Sequence, residues 1–184
     1  RAEAFVAKPG NSPIVNYPST SNTNPVVPGA DTPNVAYRTH VEKYGWQAWK
    51  YNGQMSGTSG ESKRLEGIEI KLTNKDYEGG IAYTTHVEKY AWQGTDLSNP
   101  ATWRQNGAMA GTSGESKRLE GIVVSLDTDA DIGIQYTTHC QSYGWLPWAS
   151  NGDLSGTTGE AKRLEAIMIK LTGSDADKYE VHYR

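Results

Sequence analysis

One phrase recurs three times in this chain. Gly-Thr-Ser-Gly-Glu-Ser-Lys-Arg-Leu-Glu occupies residues 57–66 and 111–120, and it returns at 156–165 with two small substitutions. Self-similarity of this kind dictates a repeat architecture before any single residue does. It also constrains chemistry, because a role assigned to one copy must be assigned to all three. The surrounding repeats begin near Tyr37, Tyr83 and Tyr136. The middle copy carries extra residues, Gly94 to Ala101, between Trp92 and Trp103. An insertion tolerated there marks a surface loop.

Within a copy the pattern is that of strands. Val35, Tyr37, Thr39 and Val41 alternate with Ala36, Arg38 and His40, and Ile81–Val87 and Ile134–Cys140 repeat the alternation. This is the period of a half-buried strand. A second strand sets Ile68, Ile70 and Leu72 against Glu69 and Lys71. Between them stands Asn52-Gly53, repeated as Asn106-Gly107 and Asn151-Gly152, a pair suited to the positive φ angles of a tight hairpin turn. No helical stripe occurs, and 20 glycines suit a turn-dense chain. The expected fold is all-β, a three-repeat domain of about twelve strands with threefold pseudosymmetry, β-trefoil-like, with a β-prism as the alternative. The repeats span about 35–80, 81–133 and 134–178, and the domain covers 34–184.

Residues 1–33 are different. Their Pro, Ser and Asn punctuation reads as an extended arm or linker. At the other end, residues 179–184 resemble the first strand of a fourth unit, which either closes the first unit or is left over. A leftover strand is a template for a neighbouring chain.

A formal net charge of −3 gives no basic footprint, so nucleic acid is not an expected partner. No apolar run reaches spanning length, so no membrane insertion is expected. The lone Cys140 takes the slot of Val41 and Val87 and reads as a small buried hydrophobe.

The residues able to carry recognition are aromatic. The six tryptophans fall two per repeat: Trp46 and Trp49, Trp92 and Trp103, Trp145 and Trp148. Such rings stack on sugars, or else fill a core with the N–H on a carbonyl. The core reading suits the first member of each pair better than the second, which is flanked by polar residues. His40, His86 and His139 share one strand position, opposite the Tyr and Val set. Imidazoles grouped on a threefold axis suit zinc or copper, but no Cys or carboxylate motif accompanies them, and no metal or other cofactor is expected. Glu66, Glu120 and Glu165 have the parity of the apolar face, and an inward carboxylate needs a partner; Arg64, Arg118 and Arg163 are the nearest. Triplication argues against a catalytic pair of carboxylates, so the chain is read as non-enzymatic.

His-Val-Glu-Lys-Tyr-Gly-Trp at 40–46, Trp49, Asn52-Gly53, Gly57-Thr58, Gly60 and Lys63–Ile68 resemble the clostridial hydrophobic repeat with a conserved tryptophan, and the second and third copies match equally well. The resemblance implies a secreted or cell-surface module of Gram-positive bacteria that binds polysaccharide, cell wall or other surface partners, and it brings no catalytic residue. The expected function is extracellular binding of a carbohydrate or cell-wall polymer, multivalent through Trp, Tyr and His of each unit. The alternative is a structural subunit of a surface filament, a homo-oligomer joined through the N-terminal arm or C-terminal strand.

Overall fold

A computed structural model describes residues 34–73 and 78–176. The N-terminal arm at 1–33 and the surplus strand at 179–184 lie outside the described residues.

Each repeat is built on one long antiparallel hairpin. Asn34–Val41 pairs with Leu65–Thr73, Gly79–Val87 with Leu119–Thr128, and Gly133–Cys140 with Leu164–Thr172. Alternation drives this pairing, since one side of each leg is apolar and the other polar. The chain turns back directly after each outgoing leg. In the first repeat Gly45–Trp46 pairs with His40 and Val41, and Lys50–Tyr51 then pairs with Ala36 and Tyr37. At the following turn Asn52 and Gly53 take φ of 30° and 84°, the positive values expected of a tight hairpin. The Asn52 side chain accepts a hydrogen bond from the Val35 amide at 3.1 Å, tying turn to strand.

The next short strand leaves its own repeat. Ala110–Gly111 of the second copy pairs with Gly67 and Ile68 of the first. Leu154–Gly156 of the third pairs with the second, and Ser56–Gly57 of the first pairs with the third. The exchange is cyclic, so the three repeats close into a ring. Three five-stranded sheets result, trefoil-like in their threefold symmetry. The described residues hold fifteen strands, more than the expected twelve or so because the tight hairpins break into two-residue pieces. No helix among them is long and apolar enough to cross a membrane.

The core runs through all three copies, with Val35, Tyr37, Ile70, Ile81, Tyr83, Val124, Ile134, Tyr136 and Ile169 in one cluster. Each fully buried aliphatic side chain there contributes about 1.5–3 kcal/mol. Cys140 is fully buried among them, and burial pushes its thiol up to about 11. It is a packing residue.

Parity fails at one position per repeat, and the reason is a bulge. His40 faces Gly67 while Val41 faces Leu65, so Glu66 is an extra residue in the ladder. The register shifts equivalently in the other copies. An extra residue re-aims the side chains on either side of it. Leu65 therefore enters the core, and the Glu66 carboxylate meets His40 on the opposite face instead of following Ile68 inward.

Candidate functional site

The bulge assembles a polar cluster at the seam between repeats. Glu66, 5% exposed, places one oxygen 3.0 Å from His40 Nδ1 and pairs with Arg64 at 2.9 Å through the other. The second and third copies repeat this as His86–Glu120–Arg118 and His139–Glu165–Arg163. Arg64 and Arg118 also reach Glu42 and Glu88; Gln141 stands in that place in the third copy, where it accepts from the Arg163 amide. The expected Glu–Arg pairing is thus present, with histidine as a third member. The Glu66 carbonyl accepts from the Thr112 amide at 2.7 Å, so the neighbouring copy's Gly-Thr clamps the bulge itself.

Each histidine meets a tryptophan edge-on. His40–Trp46, His86–Trp92 and His139–Trp145 have ring centroids 5.4–5.5 Å apart. The histidines are therefore spread around the ring, each beside its own glutamate. Among the described residues no group of three or more His, Cys, Asp or Glu has metal-holding geometry.

The tryptophans sort differently from the expectation. Trp46, Trp92 and Trp145, the members assigned more readily to the core, lie half-buried outside the main core beside the histidines. Only Trp103 is buried, at 7% exposure. The insertion explains it: Trp103 Nε1 donates to the Asp96 carbonyl at 2.9 Å, pinning the extra loop, while the ring packs against Ala82 and Val123. Trp49 and Trp148 remain half-buried at the surface, with Lys71 and Lys170 4.3 and 4.4 Å from their ring centroids.

The three outer faces differ chemically. In the first copy the Arg38 guanidinium lies 5.0 Å from the Trp46 ring centroid and 4.9 Å from that of Trp49, held by Glu69 at 2.7 Å. Thr84 and Thr137 take the place of Arg38 in the other copies, and Val123 and Met168 that of Glu69. The tryptophan faces are therefore three related surfaces, not three equal ones.

The sequence reading counts Tyr among the recognition residues without singling out the most exposed aromatics. Tyr44, Tyr90 and Tyr143 are 55%, 52% and 43% exposed. Each stands in the turn after an outgoing strand and hydrogen-bonds a glutamate of the triplicated phrase: Glu61, Glu115 and Glu160. The overlooked signal was an aromatic residue in a polar turn, written three times.

No curated protein and no solved structure matches the chain. The family model described as clostridial hydrophobic W matches three times, at residues 40–74, 86–127 and 139–173. Each match runs from the histidine of an outgoing strand to the end of a return strand or its vicinity, so it covers the bulge, the clasp and the aromatic turn. Repeats of this family are found in extracellular or surface proteins. The chain belongs to the clostridial hydrophobic W (ChW) family, as three tandem copies closed into one ring.

Proposed function

We propose that this domain is an extracellular, non-catalytic binding module for a carbohydrate or cell-wall polymer, engaging it through more than one repeat. The observation that supports this is the threefold display of aromatic side chains at the surface, with five of six tryptophans half-buried and three tyrosines exposed. Aromatic rings with a polar edge suit ligands that are apolar on one face and hydroxylated at the rim. A rigid ring carrying several weak sites gains avidity on a repeating polymer. The carboxylates of the phrase are committed elsewhere. Glu66, Glu120 and Glu165 are each paired with an arginine and packed beside a histidine, which favours a structural role over acid–base work.

Pull-down on insoluble polysaccharides and on purified bacterial cell walls tests the reading. Retention of the domain on at least one of them, lost when Trp49 and Trp148 become alanine together with Tyr44, Tyr90 and Tyr143, is the expected result. Failure to bind any preparation, with concentration-dependent self-association in its place, would instead favour the filament subunit.

A further inference from the structure

Within this binding reading, on which the inference rests, we infer that the ligand-contacting platform is the Tyr–Glu–Lys set of each repeat, and that it takes neutral sugar residues of a polysaccharide. The first set is Tyr44, Glu61 and Lys63; the others are Tyr90, Glu115, Lys117 and Tyr143, Glu160, Lys162.

The geometry is nearly identical in all three. Tyr44 and Tyr90 donate to Glu61 and Glu115 at 2.7 Å, and Tyr143 donates to Glu160. Lys63, Lys117 and Lys162 place their ammonium groups 6.0, 5.9 and 5.9 Å from the ring centroids. Two left-handed residues flank each tyrosine: Lys43 and Gly45 at φ 67° and 72°, Lys89 and Ala91 at 68° and 59°, Ser142 and Gly144 at 71° and 70°. A non-glycine residue at positive φ is costly. Here that cost recurs at Lys43, Lys89 and Ser142, all at the step that delivers the ring to the surface.

None of this serves the core. The phrase residues bearing Glu61 and Lys63 follow Gly57-Thr58, which already completes the clasp on the neighbouring repeat. The tyrosines lie outside the main core cluster. An exposed ring held in one orientation by a carboxylate loses little freedom on binding. Beside it stand an acceptor pair and a donor, the few convergent polar groups that orient a ligand. Glu and Lys cancel in charge within each set, with Lys43 and Lys89 as a further cation beside the first two and none in that place in the third, where Ser142 stands. A neutral pyranose, with an apolar face for the ring and hydroxyls for the carboxylate and ammonium, fits the Glu–Lys pair common to all three copies. The tryptophan faces differ among the copies, whereas the Tyr, Glu and Lys of this set recur in all three, with Lys162 also donating to Ser142 where Lys43 and Lys89 stand in the other copies; recurring sites suit a repeating polymer.

The test compares three proteins: the wild type, the triple variant Tyr44→Ala/Tyr90→Ala/Tyr143→Ala, and the double variant Trp49→Ala/Trp148→Ala. Their apparent affinities are measured on insoluble neutral glycans (cellulose, xylan, mannan) and on anionic polygalacturonate, at low and high salt. Circular dichroism confirms the fold, which the exposed tyrosines do not support. The expected result is wild-type binding to a neutral glycan that salt leaves unchanged, weakened about tenfold or more in the tyrosine variant. Wild-type binding that survives in the tyrosine variant within about twofold but is lost in the tryptophan variant overturns the platform and leaves the binding reading standing. Binding to polygalacturonate alone, falling with salt as charge screening requires, overturns the neutral class. No wild-type binding to any of these, combined with binding to purified cell walls that the tyrosine variant retains, also overturns the platform. No binding to any glycan or wall overturns both.

Discussion

Ala91 sits at φ 59°, where its counterparts Gly45 and Gly144 take similar angles without a Cβ. Restoring glycine relieves a left-handed penalty of about 1–2 kcal/mol and returns part of it as chain entropy. Ala91→Gly is predicted to raise stability by roughly 0.5–1 kcal/mol in urea unfolding. The opposite change at Gly111 is severe. A Cβ there would lie 2.3 Å from the Glu66 carbonyl oxygen, with φ at 94°. Gly111→Ala therefore separates two repeats and is expected to cost more than about 2 kcal/mol. Glu120→Ala removes the carboxylate beside His86 and leaves Arg118 with Glu88 alone; the expected cost is about 1–3 kcal/mol, with a change in Trp92 emission as the second readout. Some of this was legible beforehand. Glycine and Asn-Gly positions announce their turns because few residues tolerate positive φ. Tyr44 was not legible, because an exposed aromatic and a packed one are written with the same letter. The same holds for Trp46, which stands half-buried beside His40 and outside the main core.

At the level of strands, the long hairpins follow from alternation alone, and their register matches the apolar sets on each leg. The bulge was invisible because parity counts assume an unbroken ladder. One extra residue, Glu66, sends Leu65 to the core and the carboxylate to His40. Two-residue strands such as Ser56–Gly57 carry no period, so their exchange between repeats left no trace in the pattern. Side chains reinforce that exchange. The Tyr83 hydroxyl accepts from the Ile70 amide at 3.1 Å and donates to the Ala108 carbonyl, joining two repeats inside the core. Tyr136 does the same between Val124 and Asp153. Tyr83→Phe is predicted to cost about 1–3 kcal/mol by leaving buried groups unpaired. Burial pushes the Tyr83 hydroxyl up to about 12 from an ordinary 10, and Tyr37 and Tyr136 move in the same direction. Above pH 10 the unfolded chain ionises first. Stability is therefore full below pH 10 and falls between pH 10 and 12. In Tyr83→Phe that fall is shallower, measurable as urea midpoints across alkaline pH.

The whole molecule is held as a ring rather than as a row of units. Each return strand is completed by the next copy: Gly67 by Gly111, Gly121 by Gly156, and Ala166 by Gly57. A linear repeat array unfolds in stages and survives loss of an end unit. A ring with one shared core does neither. The triplication was legible in the sequence, and with it the threefold symmetry, but the closure belongs to contacts between the first and third copies that no local pattern records. The most direct measurement is equilibrium urea unfolding of the intact chain beside a fragment ending at residue 133, followed by circular dichroism and tryptophan fluorescence. A single coincident transition for the intact chain, with no cooperative transition for the fragment, is the result predicted. A fragment that keeps β-structure and unfolds with its own sharp midpoint would contradict the ring.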